Sequence, residues 1–124
     1  MASYFTQFKG HKYLNLETYR KTGEAVKTPV WFVQEENTLY VRTLDGSGKV
    51  KRIRNNRSIR VAPCSVNGNV LGEWETAVAT MVEGAEADRV DKMLGKKYGL
   101  MKKLFEIGSK KQAVNIVLKI EAIS

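Results

Sequence analysis

The passage from strand to helix lies in residues 38–54, which read TLYVRTLDGSGKVKRIR. Leu39 and Val41 alternate with polar or aromatic neighbours, which is the spacing of a half-buried strand. Farther along, Val50 and Ile53 stand three residues apart, as apolar residues do on one face of a helix. The stretch therefore predicts a strand that passes through a glycine-rich turn into a short helix.

The turn itself, residues 43–49, has the composition of an anion-binding loop. Ser47 is a favoured N-cap residue, and the free N–H groups of a first helical turn attract anions, as do a hydroxyl and the Lys49 ammonium. A Walker A loop is excluded, because its first glycine would fall at Thr43 and its magnesium-binding hydroxyl at Val50. The alternative is an ordinary capped helix whose lysine is solvated.

Alternation of apolar and polar residues predicts further strands on both sides of this turn. Pro29 lies inside the second predicted strand, which indicates an edge, a bulge or a position where no ladder hydrogen bond is made. Asn67-Gly68 is a strong hairpin signal. Six short strands joined mostly by hairpins favour a barrel over an open parallel sheet. The predicted strands span residues 11–19, 26–34, 38–43, 58–66, 72–82 and 113–120, and the predicted helices span 2–9, 47–54, 83–98 and 100–107.

Length and composition describe one domain, residues 1–124, with 43% hydrophobic and 27% charged residues. Such a chain forms a single core without disulfides or metal. No apolar run approaches the ~20 residues that a membrane-spanning helix needs, and residues 1–5 lack the charged start and apolar stretch of a signal peptide. We expect a cytoplasmic protein without a membrane partner.

Reactive side chains are scarce, which limits the chemistry. Cys64 is the only cysteine and His11 the only histidine, so an intramolecular disulfide, a thiolate metal cluster and a histidine-rich zinc site are excluded. No nucleophile motif accompanies His11, and we assign no catalytic residue and no metal ligand. Any chemistry then belongs to a bound cofactor.

The charge balance favours anionic partners. The chain carries 21 Lys and Arg against 13 Asp and Glu, a net charge of +8, which suits phosphates, polycarboxylates or nucleic acid. Residues 49–60 hold six cations and no acid, but they lack the interleaved aromatic residues on which single-strand binders stack bases. A solvated helix face is the alternative. Trp31, Tyr40 and Trp74 lie on neighbouring predicted strands, where they either flank a flat ring or pack in the core or against a second copy.

An ordered set of motifs runs through the chain: TPVWF (28–32), LYVRT (39–43), SGKVKRIRNN (47–56), VAPC (61–64), EGAEA (83–87) and KKYG (96–99). This order resembles the pyridoxamine 5′-phosphate oxidase-like flavin and deazaflavin oxidoreductases. Among these it is most similar to the small enzymes assigned to the deazaflavin coenzyme F420. The resemblance extends from about residue 12 to residue 120.

The resemblance implies a mainly β fold with short helices, a six-stranded split β-barrel of the FMN-binding type. It also implies a homodimer with two cofactor sites at its interface. In such proteins a Thr at the end of the third strand and a Ser-x-Lys at the next helix start hold the cofactor phosphate, and the second strand lays its backbone along the ring system. The predicted cofactor-binding residues are therefore Thr28, Pro29, Val30, Trp31, Arg42, Thr43, Ser47, Gly48 and Lys49.

At two positions this sequence has a different residue type from true pyridoxamine phosphate oxidases. Those enzymes carry an arginine where this chain has Thr28, and a basic residue beside the phosphate-binding lysine where it has Gly48. Both differences argue against that activity and leave the choice between FMN and the deazaflavin open. The deazaflavin carries an acidic oligoglutamate tail that FMN lacks, and the basic residues 49–60 are suited to neutralise it.

We predict a redox enzyme that moves a hydride between coenzyme F420 and an organic small molecule. An FMN-binding oxidoreductase or flavin-binding protein is the alternative within this class. A cofactor carrier without turnover and a basic nucleic-acid-binding barrel are alternatives from other classes, and we expect no nucleic-acid partner.

Overall fold

The computed structural model describes residues 4–99 and 115–123. The predicted helix at 100–107 lies outside these residues, and of the predicted helix at 2–9 the described part keeps a single 3₁₀ turn. In chain order the elements are the 3₁₀ helix Thr6–Phe8, β1 Tyr13–Tyr19, β2 Ala25–Trp31, β3 Val33–Glu35, β4 Thr38–Leu44, α1 Gly48–Asn55, β5 Ser58–Cys64, β6 Glu75–Val82, α2 Gly84–Tyr98 and β7 Asn115–Ala122.

The strands of the described residues form one sheet in the order β2-β1-β5-β6-β7-β4-β3. Each neighbouring pair is antiparallel. β2 and β3 follow one another in the chain but lie at opposite ends of this order, so the sheet must curl until its edges meet. The predicted mainly β barrel is therefore confirmed.

The sheet has seven strands rather than six because the predicted strand 26–34 is broken at Phe32. The Phe32 N–H donates to the Tyr98 hydroxyl at 3.0 Å, and that hydroxyl lies 2.6 Å from the Lys12 carbonyl oxygen and 2.8 Å from that of Phe32. Lys97 Nζ also donates to the Phe32 carbonyl oxygen, at 2.9 Å. The last turn of α2 thus satisfies the backbone groups that a neighbouring strand would otherwise bond.

The main core fills the barrel interior. It consists of the apolar residues that the alternating pattern predicts on one face of each strand. Leu14 and Leu16 of β1 face Leu118 and Ile120 of β7 across it, and Ile53 of α1 closes one end. A second, smaller cluster lies outside the barrel, where α2 packs on β3, β4 and β7. Its buried members are Val33, Tyr40, Val90, Leu94, Tyr98 and Val117.

The predicted hairpin turn at Asn67-Gly68 is present, but the strands around it are shorter than predicted. Gly68 has φ 87°, a conformation that glycine adopts without strain. The Ser65 N–H donates to the Asn69 carbonyl oxygen at 2.9 Å, and Cys64 makes a single bridge to Val70. The connecting loop therefore reaches Trp74, and β6 starts only at residue 75.

The second face of β1 is polar and yet buried. Glu17 is 1% exposed, and its carboxylate accepts two hydrogen bonds from Arg60, one of them at 2.9 Å, and a third from the Tyr19 hydroxyl at 2.6 Å. The bonds from Arg60 are the largest influence on the Glu17 carboxyl, and they hold its pKa below the ordinary value although burial acts in the opposite direction.

We expect Tyr98→Phe to lower the free energy of unfolding by about 1–3 kcal/mol, because it leaves the Phe32 N–H without an acceptor. The aromatic ring survives the change, so the stacking of Tyr98 on Trp31, with ring centroids 4.4 Å apart, is retained. Urea titration measures the difference. Tyr13→Phe is the control, since the Tyr13 hydroxyl has no hydrogen bond within the described residues, and equal losses in the two variants would contradict the role of Tyr98.

We expect Glu17→Gln to cost roughly 1.5–3 kcal/mol at pH 7, the range for hydrogen bonds to a charged group. Because the folded-state pKa of Glu17 is depressed, its contribution is complete above the ordinary pKa of about 4.3 and is lost as pH falls through the folded value. The stability gap between the wild type and Glu17→Gln should therefore narrow below about pH 4. The control is Glu24→Gln, which breaks an exposed pair with Arg20 and should cost less than about 1 kcal/mol. A gap that stays constant down to pH 2 would contradict this assignment.

Candidate functional site

The start of α1 is built as the sequence predicts. Gly46 makes the preceding turn with φ 85°, and Ser47 takes the N-cap position, its Oγ accepting from the Val50 N–H at 3.4 Å. The N–H groups of Gly48 and Lys49 have no acceptor within the described part of the chain. Two donors at the positive end of a helix are therefore directed at the space in front of it.

Two hydroxyl groups border the same space. Thr43, at the end of β4, is only 7% exposed, and its Oγ1 lies 3.5 Å from Ser47 Oγ, the outer limit for a hydrogen bond between hydroxyls. No other hydrogen bond reaches the Thr43 hydroxyl from the described residues. A nearly buried hydroxyl with one long contact has capacity left for a ligand oxygen.

Two cations complete this group. Lys49 is half-buried, and burial, together with the nearby charge of Arg52, lowers the pKa of its ammonium. Arg52 folds back along the helix: its Nε donates to Thr18 Oγ1 at 2.6 Å. Its Nη1 lies 2.7 Å from the point that a Cβ on Gly48 would occupy. Thr43, Ser47, Gly48, Lys49 and Arg52 are thus gathered at one end of α1.

Arg52 was not singled out from the sequence, where it is one of six cations in residues 49–60. The available signal is its spacing, since residues three and four apart are neighbours on a helix and Arg52 follows Lys49 by three and Gly48 by four. The other four cations of residues 49–60 do not join this group. Arg54 pairs with Asp45 at 3.2 Å and Arg60 is bonded to Glu17, while Lys51 and Arg57 are exposed.

The edge of β2 is the second part of the predicted site. β2 pairs with β1 on one side and with no strand on the other within residues 4–99 and 115–123, and it approaches β4. The edge position that Pro29 predicted is therefore confirmed. Thr28 pairs with Leu16 and faces the barrel interior with Val30, which packs on the core.

The β2 edge and the start of α1 are connected through β1. Thr18, which bonds Arg52, pairs with Val26 of β2, two residues before Thr28. Both predicted halves of the site therefore border the split between β2 and β4.

Trp31 and Arg42 have their side chains engaged elsewhere. Trp31 stacks on Tyr98 with an interplanar angle of 11°. Arg42 alternates with Thr43 along β4, so it lies on the opposite face, where it pairs with Asp91 of α2 at 3.0 Å. The side chain of Trp31 serves packing, and only its backbone belongs to the β2 edge.

The other two aromatic residues also have structural surroundings. The Tyr40 hydroxyl donates to Glu86 at 2.8 Å beneath α2. The Trp74 ring lies under Lys27 and Arg60, 5.4 and 5.0 Å from its centroid. With Trp31 stacked on Tyr98, the three aromatics predicted on neighbouring strands do not converge on one binding space.

A depression of about 570 Å³ lies at the far end of β4 from α1. It contains none of the predicted cofactor-binding residues. Residues 4–99 and 115–123 hold no group of three potential metal ligands, and none of the helices among them is long and apolar enough to cross a membrane. The lining residues of the depression are Tyr4, Thr6, Phe8, Lys9, Gly10, Phe32, Gln34, Glu36, Asn37 and Lys97.

Solved structures share this fold across nearly the whole chain. The heme storage protein HutZ from Vibrio cholerae has a TM-score of 0.72 and 15% identity, over 94% of this chain and 84% of its own. A protein assigned as a pyridoxamine 5′-phosphate oxidase from Listeria innocua has a TM-score of 0.69 and 15% identity, over 94% and 88%. An F420 reductase has a TM-score of 0.63 and 12% identity, over 100% and 96%.

These similarities establish the fold, which is the split barrel found in pyridoxamine 5′-phosphate oxidase-like proteins, as the motif order predicts. They include a redox enzyme and a heme storage protein, so the fold by itself does not specify the chemistry. No protein-family model matches the sequence, and a search of curated proteins finds no match.

Proposed function

We propose that this chain is a cytoplasmic oxidoreductase that binds coenzyme F420 and moves a hydride between it and an organic small molecule. The observation that carries the proposal is the group of donors at the start of α1. The hydroxyls of Thr43 and Ser47 lie together beside the free N–H groups of Gly48 and Lys49, and Lys49 carries its ammonium on the same turn. These donors fit a phosphate, which accepts several hydrogen bonds and gains from the helix dipole.

The rest of the cofactor would extend along the edge of β2, with Thr28, Pro29, Val30 and the backbone of Trp31 against its ring system. Strand edges offer unpaired N–H and C=O groups to a flat polar ring. When bound, a deazaflavin supplies the hydride chemistry itself. The residues of this chain would bind and orient the ring, exclude water and leave one ring face open to substrate, with no catalytic base required.

The proposal includes a homodimer. The outer edge of β2 has no strand partner within the described residues, so this edge is open to a second copy of the chain. A second copy covering the split would exclude water from the ring. The F420 reductase and the enzyme assigned as a pyridoxamine 5′-phosphate oxidase share the fold, but so does the heme storage protein, so the preference for a flavin-type ligand rests on the donors at the start of α1.

Charge supports the deazaflavin over FMN. The phosphate-binding group suits either cofactor, but the surroundings of α1 are cationic beyond what a phosphate requires. Lys51 and Arg57 are exposed, and neither forms an ion pair within the described residues. Their field attracts an acidic oligoglutamate tail more strongly than it attracts FMN.

We expect the deazaflavin to bind more tightly than FMN at low ionic strength, with the difference shrinking as salt rises, because attraction between exposed charges is screened. Titration of the purified protein with each cofactor, followed by absorbance, measures both affinities. Flavin gives two visible bands and a deazaflavin one band near the violet. Sedimentation of the same samples tests the dimer, at twice 14.0 kDa.

Equal affinities at low salt would contradict the preference for the deazaflavin and favour the FMN-binding alternative. Binding of either cofactor without hydride transfer to any acceptor would favour a carrier. Failure of both cofactors to bind would overturn the proposed function.

We expect Lys49→Ala to weaken cofactor binding roughly ten- to a hundredfold, since a charge-assisted hydrogen bond to phosphate contributes about 1.5–3 kcal/mol. The unfolding free energy should hardly change, because the ammonium has no ion-pair partner among the described residues. Calorimetry measures the affinity. Lys51→Ala is the control on the same helix, with both variants measured at high salt, where the general attraction of exposed cations is screened. Equal affinities of the two variants would mean that the phosphate does not bind at the start of α1.

A further inference from the structure

We infer that Arg52 is a second cationic side chain, beside Lys49, that binds the phosphoryl group of this site, and that Thr18 positions it there. The inference rests on the proposed function for the identity of the ligand, and it adds an element of recognition that the motifs do not contain. Its evidence is the path of the Arg52 side chain, the space that Gly48 leaves for it, and the charges around it.

The Arg52 guanidinium is fixed at a definite place. Its Nε donates to Thr18 Oγ1 at 2.6 Å, and Thr18 is itself buried near the end of β1, the strand between β2 and β5. A short bond to a buried acceptor removes much of the rotamer freedom that an arginine side chain otherwise has. The remaining donors, on Nη1 and Nη2, are left for another partner.

Those donors lie over the first turn of α1. Nη1 and Nη2 lie 2.7 and 3.7 Å from the position of a Cβ on Gly48, and the free N–H groups of Gly48 and Lys49 belong to the same turn. Gly48 does not have a positive φ, so its backbone conformation is open to other residues. What the absence of a side chain provides here is room for the guanidinium.

No carboxylate in the described residues neutralises this pair of cations. Asp45 pairs with Arg54 and Glu24 with Arg20, so the acids at this end of the barrel are engaged. Burial and the charge of Arg52 lower the pKa of Lys49, and burial and the charge of Arg20 lower the pKa of Arg52. A phosphoryl dianion between them relieves this repulsion, and the planar fork of an arginine bonds two of its oxygens at once.

The test uses the full chain with five variants: Arg52→Ala, Arg52→Lys, Thr18→Val, Gly48→Ala and the double variant Thr18→Val/Arg52→Ala. Lys51→Ala is the control, and all affinities are compared at high salt, where the general attraction of exposed cations is screened. Inorganic phosphate is titrated into ¹⁵N-labelled protein, and the chemical shifts of the Gly48 and Lys49 N–H groups report binding. FMN and the deazaflavin are titrated separately by absorbance. Urea unfolding of every variant shows whether the fold is retained.

Arg52→Ala should weaken phosphate and cofactor binding roughly ten- to a hundredfold, and Arg52→Lys should recover only part, because an ammonium lacks the planar fork. Thr18→Val alone should weaken binding. Added to Arg52→Ala, it should cause no further loss of affinity, since Thr18 acts through Arg52. Gly48→Ala should weaken binding, because its Cβ would lie 2.7 Å from Arg52 Nη1 and must displace the guanidinium. A loss of affinity in variants whose unfolding free energy is retained separates recognition from a purely structural role.

Equal binding by Arg52→Ala and Lys51→Ala would overturn the inference, and so would a wild type whose Gly48 and Lys49 N–H groups do not respond to phosphate. If phosphate binds with the expected dependence on Arg52 but neither cofactor binds, the proposed function is wrong and the role of Arg52 in phosphoryl binding stands. If a cofactor binds tightly and is indifferent to Arg52, the proposed function stands and this inference is wrong.

Discussion

The hydrogen bonds from α2 to Phe32 determine how the chain closes into a barrel. Tyr98 and Lys97 bond the backbone of this one residue, so the strand that begins at β2 is interrupted and resumes as β3 at the other edge of the sheet. Closure then needs no further strand, and β2 keeps one edge without a strand partner in the described chain. The interruption has a cost, since burial lowers the pKa of Lys97 to about 8. Within the described residues this amine contacts the Phe32 carbonyl oxygen and the rings of Phe32 and Tyr98, whose centroids are 3.6 and 5.3 Å away.

The position of α1 follows from the same closure. A helix of eight residues is too short to be stable alone in water, and α1 is held by burying Val50 and Ile53 against the end of the barrel. Its first turn is thereby fixed beside the end of β4 and the open edge of β2. The candidate site draws on the helix α1 and the strands β2 and β4, and donors on regular elements are kept in place without a ligand. Electrostatic binding of this kind depends on such preorganisation, because donors that had to rotate into place would lose part of the gain to entropy.

Much of the fold can be predicted from local sequence patterns. The alternation around Leu39 and Leu118 predicts the inward faces of β4 and β7, and Ser47 predicts the start of α1 to the residue. The interruption at Phe32 cannot be predicted from the local sequence, because the alternating pattern continues through this residue. Its cause is Tyr98, which lies 66 residues away in the chain. The burial of Glu17 cannot be predicted from the local sequence for the same reason, because its partner Arg60 is 43 residues away in the chain. Interactions between distant residues override local preference at both places.

In the candidate site, too, neighbours in the sequence and neighbours in space are different residues. Adjacent residues on a strand point to opposite faces, so Thr43 reaches the start of α1 while Arg42 reaches Asp91, although a motif treats them as one unit. On a helix the relation is reversed, and residues four apart become neighbours. The motif order shows a missing basic side chain at Gly48, yet the guanidinium of Arg52 lies in the space that a side chain at Gly48 would fill. Position-by-position comparison records only that Gly48 is not basic. In three dimensions the guanidinium of Arg52, delivered from the next turn of the helix, lies where a side chain at position 48 would be.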